Sequence, residues 1–341
     1  MERAVPLLLT PLLALAAACG SGGSTGASPV PTPRPVSLTL AQTLTLGNEA
    51  SAVAFSPDGR LLAAGGGDIG VPSVVHLYSV PAFTEVATIP GFFRTAYSLA
   101  FTPGGAQLAG GGYEVTDDAV KMWEVPGGRR LWSRDRYLPR SLSISPDGQW
   151  LAVASADDRL IEILALPGGD LARVFTAHTR SVLSLAFSPD GRHLVSGGAD
   201  HVVKVWGVPG FAEEAAFAGH TAPVWGVAFS PDGQHLASGA VDSTARLWRL
   251  PDRSAVRTHY QEDMVWSVAF SPDGDLLGSG GYAGVRLFRV SSAATEAVAS
   301  AGETEKATAI AFSPDGRHLV SALADNVEST AGTVKVWTVS R

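Results

Sequence analysis

One set of residues in this sequence has the types that nucleophilic catalysis uses. Ser196, His178 and Asp200 could supply the hydroxyl, the imidazole and the carboxylate of a triad. The same three types recur further along the chain at His220, Ser238 and Asp242. A nucleophile also needs an aimed hydroxyl and an oxyanion site, and the sequence indicates neither. The duplication, with a Trp six residues after each Asp, favours a repeated structural network over an active site.

Other patterns that resemble chemical motifs are also better explained by structure. His193, His235 and His318 each come shortly after a turn glycine, at equivalent places in different repeats, so they would be spread apart rather than gathered around a metal ion. Glycines 65, 67 and 70 match a dinucleotide-binding spacing but precede a strand-like segment instead of a helix. The sequence therefore predicts no catalytic residues, no cofactor and no metal site.

Composition and charge narrow the possible functions. The chain has 341 residues with 38 Gly, 22 Pro and a formal net charge of −7. An acidic balance argues against nucleic-acid binding, which normally shows a basic surface. The single cysteine, Cys19, excludes an intramolecular disulfide and a cysteine-rich zinc site.

The first segment, residues 1–18, has the pattern of an export signal. It contains an early arginine and then a mostly apolar run, too short to cross a bilayer, that ends in small residues. The run from Leu15 to Gly20 resembles a bacterial lipoprotein signal, which implies cleavage before Cys19 and lipid on its thiol. The alternative is an ordinary signal peptide that is cut after Ala18. Lipidation is favoured because the one cysteine falls at the cleavage point.

Residues 19–37 follow as the anchor cysteine and a tether. After Cys19 the composition changes from Gly/Ser-rich to Pro-rich without hydrophobic periodicity. Such a segment predicts an extended or flexible linker. We expect it to hold the following domain, residues 38–341, away from a membrane surface.

The remaining chain consists of seven repeats. A strand-like segment followed by a Ser-Pro-Asp-Gly or related turn recurs every 41 to 46 residues, with its first turn residue at Ser56, Thr102, Ser145, Ser188, Ser230, Ser271 and Ser313. Each unit reads as four short antiparallel strands. Repeats of this size that cannot bury their faces alone predict an all-β, seven-bladed β-propeller.

These units resemble WD repeats over about residues 38–341. The full residue set of that family occurs twice, as His178, Ser196, Asp200 and Trp206 in blade four and as His220, Ser238, Asp242 and Trp248 in blade five. The resemblance implies that Asp accepts from the His ring, His meets the Ser hydroxyl, and Ser meets the Trp indole. Other blades depart from the set: blade six has Gln261, Gly278, Tyr282 and Phe288, and blade seven has Glu303 before Ser321, Asp325 and Trp337.

The two ends of the repeat region predict how the ring closes. The last repeat stops at a third strand, residues 334–339, whereas residues 38–46 form a strand-like segment with no blade of its own. In WD-repeat proteins an N-terminal strand completes the last blade. We therefore expect residues 38–46 to close the ring and to protect a sheet edge.

Candidate binding residues cluster before blades two and three. Aromatic and arginine side chains are the types that dominate binding hot spots. The predicted binding surface comprises Phe92, Phe93, Tyr97, Arg134, Arg136, Tyr137 and Arg140, together with Trp225 and Trp266 at the mouth of the central channel.

The sequence thus predicts a monomeric, non-enzymatic protein-interaction scaffold that is exported and membrane-anchored through lipid on Cys19. Its partners would be other proteins, and not nucleic acid. Two alternatives remain. One is a sensor of small ligands or glycans that uses Tyr97, Trp225 and Trp266 as a stacking floor, and the other is a propeller-fold hydrolase or lyase.

Overall fold

The computed structural model describes residues 35–47, 49–67, 72–114, 119–135, 138–155, 158–292, 297–301, 306–324 and 332–341. The predicted signal peptide and most of the tether, including Cys19, lie outside the described residues. Pro35–Arg341 form one compact unit. All elements in the described ranges are β-strands, which form seven four-stranded antiparallel sheets. The predicted seven-bladed propeller is confirmed.

The first four blades follow the chain from the innermost to the outermost strand. Blade one contains β2 (Ala50–Phe55), β3 (Leu61–Gly66), β4 (Val74–Ser79) and β5 (Glu85–Pro90). Blade two contains β6 (Ala96–Phe101), β7 (Gln107–Gly112), β8 (Val120–Glu124) and β9 (Arg130–Arg134). Blade three contains β10 (Pro139–Ile144), β11 (Trp150–Ser155), β12 (Leu160–Ala165) and β13 (Asp170–Thr176). Blade four contains β14 (Val182–Phe187), β15 (His193–Gly198), β16 (Val203–Gly207) and β17 (Ala212–Phe217).

Blades five and six repeat this order, and blade seven combines both ends of the repeat region. Blade five contains β18 (Val224–Phe229), β19 (His235–Ala240), β20 (Thr244–Arg249) and β21 (Ala255–Tyr260). Blade six contains β22 (Val265–Phe270), β23 (Leu276–Gly281), β24 (Gly284–Arg289) and β25 (Ala299–Ala301). Blade seven contains β26 (Lys306–Phe312), β27 (His318–Ala324), β28 (Thr333–Ser340) and, as its outer strand, β1 (Ser37–Thr45).

The ring is closed by the N-terminal strand, as predicted. β1 pairs antiparallel with β28 from Ser37 opposite Ser340 to Thr45 opposite Thr333. The inner strands contact one another in order around the ring, and β26 of blade seven contacts β2 of blade one. Since β1 comes before blade one in the chain, its pairing ties the first and last repeats together and covers an edge of β28.

The core lies between neighbouring blades. The second strand of each blade is buried along nearly its whole length, because it is covered by adjacent blades on both faces of its sheet. This explains why these strands are rich in Gly, Ala, Leu and Val. One cluster, for example, joins Val195 and Val205 of blade four to Val224, Leu236 and Trp248 of blade five.

The repeated turn motif has a defined hydrogen-bonding role. In blade four, the Ser188 hydroxyl donates to Asp190 Oδ1 at 2.6 Å and accepts the His193 N–H at 2.9 Å. The same Asp190 oxygen accepts the Arg192 N–H at 3.0 Å. Gly191 has a φ of 70°, a conformation that favours glycine. The Ser-Pro-Asp-Gly pattern therefore specifies the tight connection between the first and second strands.

Strand direction defines two faces of the ring. We call the face that carries the Ser-Pro-Asp-Gly turns the turn face. The opposite face carries the loops between second and third strands and the loops leading into each inner strand, and we call it the loop face.

Candidate functional site

Each inner strand contains an irregularity at the same position. Where it pairs with the second strand, the register skips the residue that lies five positions before the turn motif, which is the second residue of the inner strand in blades one to six and the third in blade seven. Such a β-bulge redirects the side chain of the extra residue. The skipped residues are Ser51, Tyr97, Arg140, Leu183, Trp225, Trp266 and Thr308.

All seven bulge residues line one cavity of about 620 Å³ at the loop-face end of the central channel. We call this cavity the channel mouth. Every blade contributes to its lining, and the charged lining residues in the described ranges are Arg140 and Glu49. Trp225 and Trp266 thus lie where the sequence predicted them, and Tyr97 and Arg140 join them.

Arg140 lies between two aromatic rings of the channel mouth. Its guanidinium carbon is 4.8 Å from the Tyr97 ring centroid and 4.6 Å from the Trp225 ring centroid. Loss of hydration on burial lowers the pKa of the Arg140 guanidinium, and the neighbouring Tyr97 opposes that change. Each cation–π contact is worth about 0.5 to 2 kcal/mol, so the two rings hold the cation in place while part of its hydration is removed.

Trp266 belongs to a second aromatic contact at the rim. Its ring centroid is 4.5 Å from that of Tyr282, which lies in the loop between β23 and β24. The Lys306 ammonium lies 5.0 Å from the centroid of the Tyr282 ring. This contact fixes Trp266 against the wall and places a further cation near the cavity.

Hydroxyl groups tie neighbouring inner strands together below the bulges. The Leu142 N–H donates to the Ser98 hydroxyl at 3.0 Å, and the Leu185 N–H donates to the Ser141 hydroxyl at 3.0 Å. The Ser184 hydroxyl accepts from Val227 in the same way at 3.1 Å. The inner strands that carry Arg140 and Trp225 are therefore hydrogen-bonded to the inner strands of neighbouring blades.

The predicted surface before blade two is correct only in part. Phe93 is 41% exposed, whereas Phe92 is 2% exposed and is not a surface residue. Phe92 packs edge to face on Trp123, with ring centroids 5.8 Å apart, and the Lys121 ammonium lies over its other side at 4.7 Å. Aligned on the inner strand, Phe92 occupies the place that His178 occupies in blade four, which explains its burial.

The predicted arginines before blade three also differ from one another. Arg134 donates from Nη1 to the carbonyl of Gly169 in blade three at 3.1 Å, so its guanidinium bridges two blades. Arg136 and Tyr137 lie outside the described residues, and their role in binding stays a prediction.

Blades four and five each contain a chain of hydrogen bonds through their His, Ser, Asp and Trp residues. In blade four, Trp206 Nε1 donates to Ser196 Oγ at 2.9 Å, and Ser196 Oγ lies 2.7 Å from His178 Nε2. His178 Nδ1 lies 2.9 Å from Asp200 Oδ1. In blade five, the chain joins Trp248, Ser238, His220 and Asp242, with distances of 2.8, 2.7 and 2.9 Å.

This arrangement satisfies every member when the histidine is neutral. Nδ1 of His178 then donates to Asp200, and Nε2 accepts from the Ser196 hydroxyl, which itself accepts from the Trp206 indole. Burial lowers the pKa of His178, and the nearby Asp200 opposes this. Ser196 has no exposed surface, so its hydroxyl is not open to a substrate. The triad-like set is therefore a structural network of hydrogen bonds from Trp through Ser and His to Asp, which we call the relay.

Blades six and seven retain parts of this relay. In blade six, Gln261 Nε2 donates to the Ser279 hydroxyl, so Ser279, and not Gly278, fills the serine position. The prediction that Gly278 holds the serine position of blade six was therefore wrong by one residue. In blade seven, Trp337 Nε1 donates to Ser321 Oγ at 3.0 Å. Glu303 and Asp325 lie outside the described residues.

Sequence analysis missed several lining residues of the channel mouth. Trp225 and Trp266 each lie five residues before the first residue of the following turn. The same count from the other five turns gives Ser51, Tyr97, Arg140, Leu183 and Thr308. Ser51, Leu183 and Thr308 were overlooked because none is a typical hot-spot residue.

The described ranges contain neither a metal-binding cluster nor a membrane-spanning helix. No group of three or more His, Cys, Asp or Glu side chains is placed there to hold a metal ion. Within those same ranges no helix has the length and apolar character needed to cross a membrane.

Comparison with known proteins identifies related sequences. The family model described as "IFT122 first beta-propeller" matches residues 139–340, and the model "WD domain, G-beta repeat" matches residues 40–68. WD repeat-containing protein 1 of Gallus gallus is 35% identical over 107 residues, which cover 30% of this chain and 17% of that protein. The uncharacterized WD repeat-containing protein sll1491 of Synechocystis is 27% identical over 161 residues, which cover 47% of this chain and 41% of that protein. The transcription initiation factor TFIID subunit 5 of Caenorhabditis elegans is 27% identical over 160 residues, which cover 44% of this chain and 22% of that protein. The matched stretch is thus less than half of the length of each of these relatives.

Proposed function

The chain belongs to the WD-repeat β-propeller family of the IFT122 first β-propeller model, and on that premise we propose that it is a non-enzymatic protein-interaction scaffold. The single observation that carries the proposal is the composition of the loop face. This face presents the exposed rings of Phe93 and Tyr282, and its cavity holds the arginine–aromatic stack of Arg140. Aromatic and arginine side chains contribute most to binding energy in protein interfaces.

The rigidity of the ring supports this function. Closure by β1 and the hydroxyl hydrogen bonds between inner strands fix the strands that line the channel mouth before any partner arrives. A surface that is already ordered loses little conformational freedom on binding. The partner of such a surface is another protein, and the acidic net charge of −7 disfavours nucleic acid.

We further propose that the propeller works outside the cytoplasmic membrane, as a monomer anchored through lipid on Cys19. The support is the sequence of residues 1–37: an apolar export segment, a cysteine at the cleavage point and a tether rich in Gly, Ser and Pro. Several acyl chains at about 0.8 kcal/mol per buried CH₂ would give a stable anchor.

The scaffold proposal is tested by quantitative cross-linking and affinity capture from native membranes. The double variant Phe93→Ser, Tyr282→Ser alters the loop face. The matched control Leu171→Ser, Val174→Ser alters equally exposed apolar residues on the outer strand β13. We expect the loop-face variant to lose a defined set of captured proteins that the control retains. Equal capture by both variants would refute the assignment of binding to the loop face.

The anchor proposal is tested on protein extracted from its native host. Mass spectrometry of the mature N-terminus should find Cys19 as the first residue with lipid attached. Cys19→Ala should release the protein from the membrane fraction. An unmodified Cys19, or a retained segment 1–18, contradicts the anchor without affecting the scaffold proposal.

A further inference from the structure

We propose that the channel mouth is a binding site for a carboxylate carried on a flat apolar body, with Arg140 as the carboxylate receptor and Trp266 and Trp225 as contacts for the body. This inference goes beyond the scaffold proposal, because a ligand can occupy the cavity whether or not a protein covers the loop face.

The position of Arg140 determines the charge of the ligand. An aromatic-lined pocket often binds a cation, because ring faces carry partial negative charge. Here the space between the Tyr97 and Trp225 rings already holds the Arg140 guanidinium, at 4.8 and 4.6 Å from the two centroids. A cationic ligand would be repelled by Arg140, which already occupies the space between these two rings. The cavity therefore favours an anion.

The chemistry of the guanidinium determines the kind of anion. Arginine keeps its charge at neutral pH and presents planar N–H donors that match a carboxylate in bidentate geometry. Among the described residues, no carboxylate forms an ion pair with Arg140, although Glu49 lies on the same cavity wall. Because the cation is partly buried, its attraction for an incoming carboxylate is less screened than it would be on an open surface.

The remaining walls favour a flat apolar body. Trp225, Trp266 and Leu183 line the same cavity, and Trp266 is held in place by Tyr282. Aromatic walls bind flat groups by stacking and edge contacts. A volume of about 620 Å³ is sufficient for a small organic molecule or for the last side chain of a peptide. A free small acid and the C-terminus of a peptide would both present this chemistry.

The test measures binding to the purified full chain by calorimetry and tryptophan fluorescence. The free acid is represented by indole-3-acetate, with indole-3-acetamide as its neutral match. The chain terminus is represented by the pentapeptide GGSGF with a free carboxylate, with its C-terminal amide as the match. We expect at least one carboxylate to bind about tenfold or more tightly than its amide. The pair that shows this preference identifies the source.

Variants and salt assign the preference to Arg140. Arg140→Gln should remove the preference for the carboxylate, whereas Arg192→Gln, which alters an exposed arginine near the turn face, should retain it. Should Arg140→Gln melt much earlier than the wild type, the wild-type protein still provides a test, because rising salt should weaken carboxylate binding and leave amide binding unchanged.

Several results would overturn the inference. These are equal binding of each acid and its amide, the absence of binding by any probe, a preference that survives in folded Arg140→Gln, or tighter binding of benzyltrimethylammonium than of indole-3-acetate. Capture of proteins by the loop face could continue in each of these cases, so the scaffold proposal is judged separately.

Discussion

Phe92 meets Trp123 edge to face in blade two, with ring centroids 5.8 Å apart and planes at 78°. In blade four the equivalent places are held by His178 and Trp206, which are joined through the Ser196 hydroxyl. Blade two has Gly110 where blade four has Ser196, and a Cβ there would lie 2.6 Å from the Trp123 ring. The direct contact of two rings therefore takes the place of the polar relay in blade two.

This replacement predicts different effects for two adjacent phenylalanines. Phe92→Ala should lower the free energy of unfolding by about 3 to 5 kcal/mol, because it leaves a cavity against Trp123. Phe93→Ala should change it by less than about 1 kcal/mol, since Phe93 is exposed. Urea unfolding followed by circular dichroism measures both. Similar effects of the two variants would show that the assignment of Phe92 to the core is wrong.

The relay of blade four predicts a stability effect at Ser196. Ser196→Ala removes the partner of both the Trp206 indole and the His178 ring, so we expect a loss of about 1 to 3 kcal/mol in the free energy of unfolding. Ser340→Ala is the control, because Ser340 is exposed at the end of β28. A loss at Ser196 no larger than at Ser340 would contradict the relay.

The two buried histidines predict a pH dependence of stability. Burial lowers the folded-state pKa of His178 and His220 below 6.5, whereas nearby Asp200 and Asp242 oppose the change. Below pH 6.5 the unfolded chain therefore binds more protons than the folded chain, and stability falls as the pH falls. Protonation would also deprive the Ser196 hydroxyl of its acceptor on His178.

Chemical unfolding between pH 7.5 and about pH 5 measures this dependence. The double variant His178→Gln, His220→Gln is expected to be less stable at pH 7.5 but to lose less stability on acidification. The variant His235→Gln, at a half-buried position on the turn face, serves as the control and should keep the wild-type slope. A wild-type slope in the double variant would assign the pH dependence to other groups.

Ring closure predicts different effects for two leucines of β1. Leu44 is buried against Val334 and Val336 at the junction of blades seven and one, whereas Leu40 is 46% exposed. Leu44→Ala should lower the free energy of unfolding by about 2 to 5 kcal/mol. Leu40→Ala should have an effect of less than about 1 kcal/mol. Deletion of residues 38–46 should lower the melting temperature further, and an unchanged melting temperature would refute closure by β1.

Much of the fold could be predicted because the repeats are local. A Ser-Pro-Asp-Gly turn specifies its own hydrogen bonds within six residues, as Ser188, Asp190 and His193 show. Six such turns and the related Thr-Pro-Gly-Gly turn at Thr102, at nearly equal spacing, determine the number of blades. An unpaired strand at one end together with a missing strand at the other determines closure. These features require no knowledge of distant contacts.

The candidate site depended on information that no single repeat contains. Phe92 and Phe93 are adjacent and have the same chemistry, yet one faces Trp123 and the other faces solvent, which only the packing of the blade decides. Likewise, Tyr97, Arg140 and Trp225 are far apart in sequence, and nothing local indicates that one guanidinium lies between the two rings.

The sequence by itself determined the repeat, the number of blades, the residue types of the relay and the position at which the inner strand carries Trp225 and Trp266. The tertiary structure decided what these positions do together. A β-bulge at the same place in every inner strand directs seven side chains toward one cavity. The curvature of the propeller brings Arg140 between the aromatic rings of Tyr97 in blade two and Trp225 in blade five. The physical reason is that hydrogen bonds along a strand are set by neighbouring residues, whereas convergence on a common axis depends on how all seven sheets pack around it.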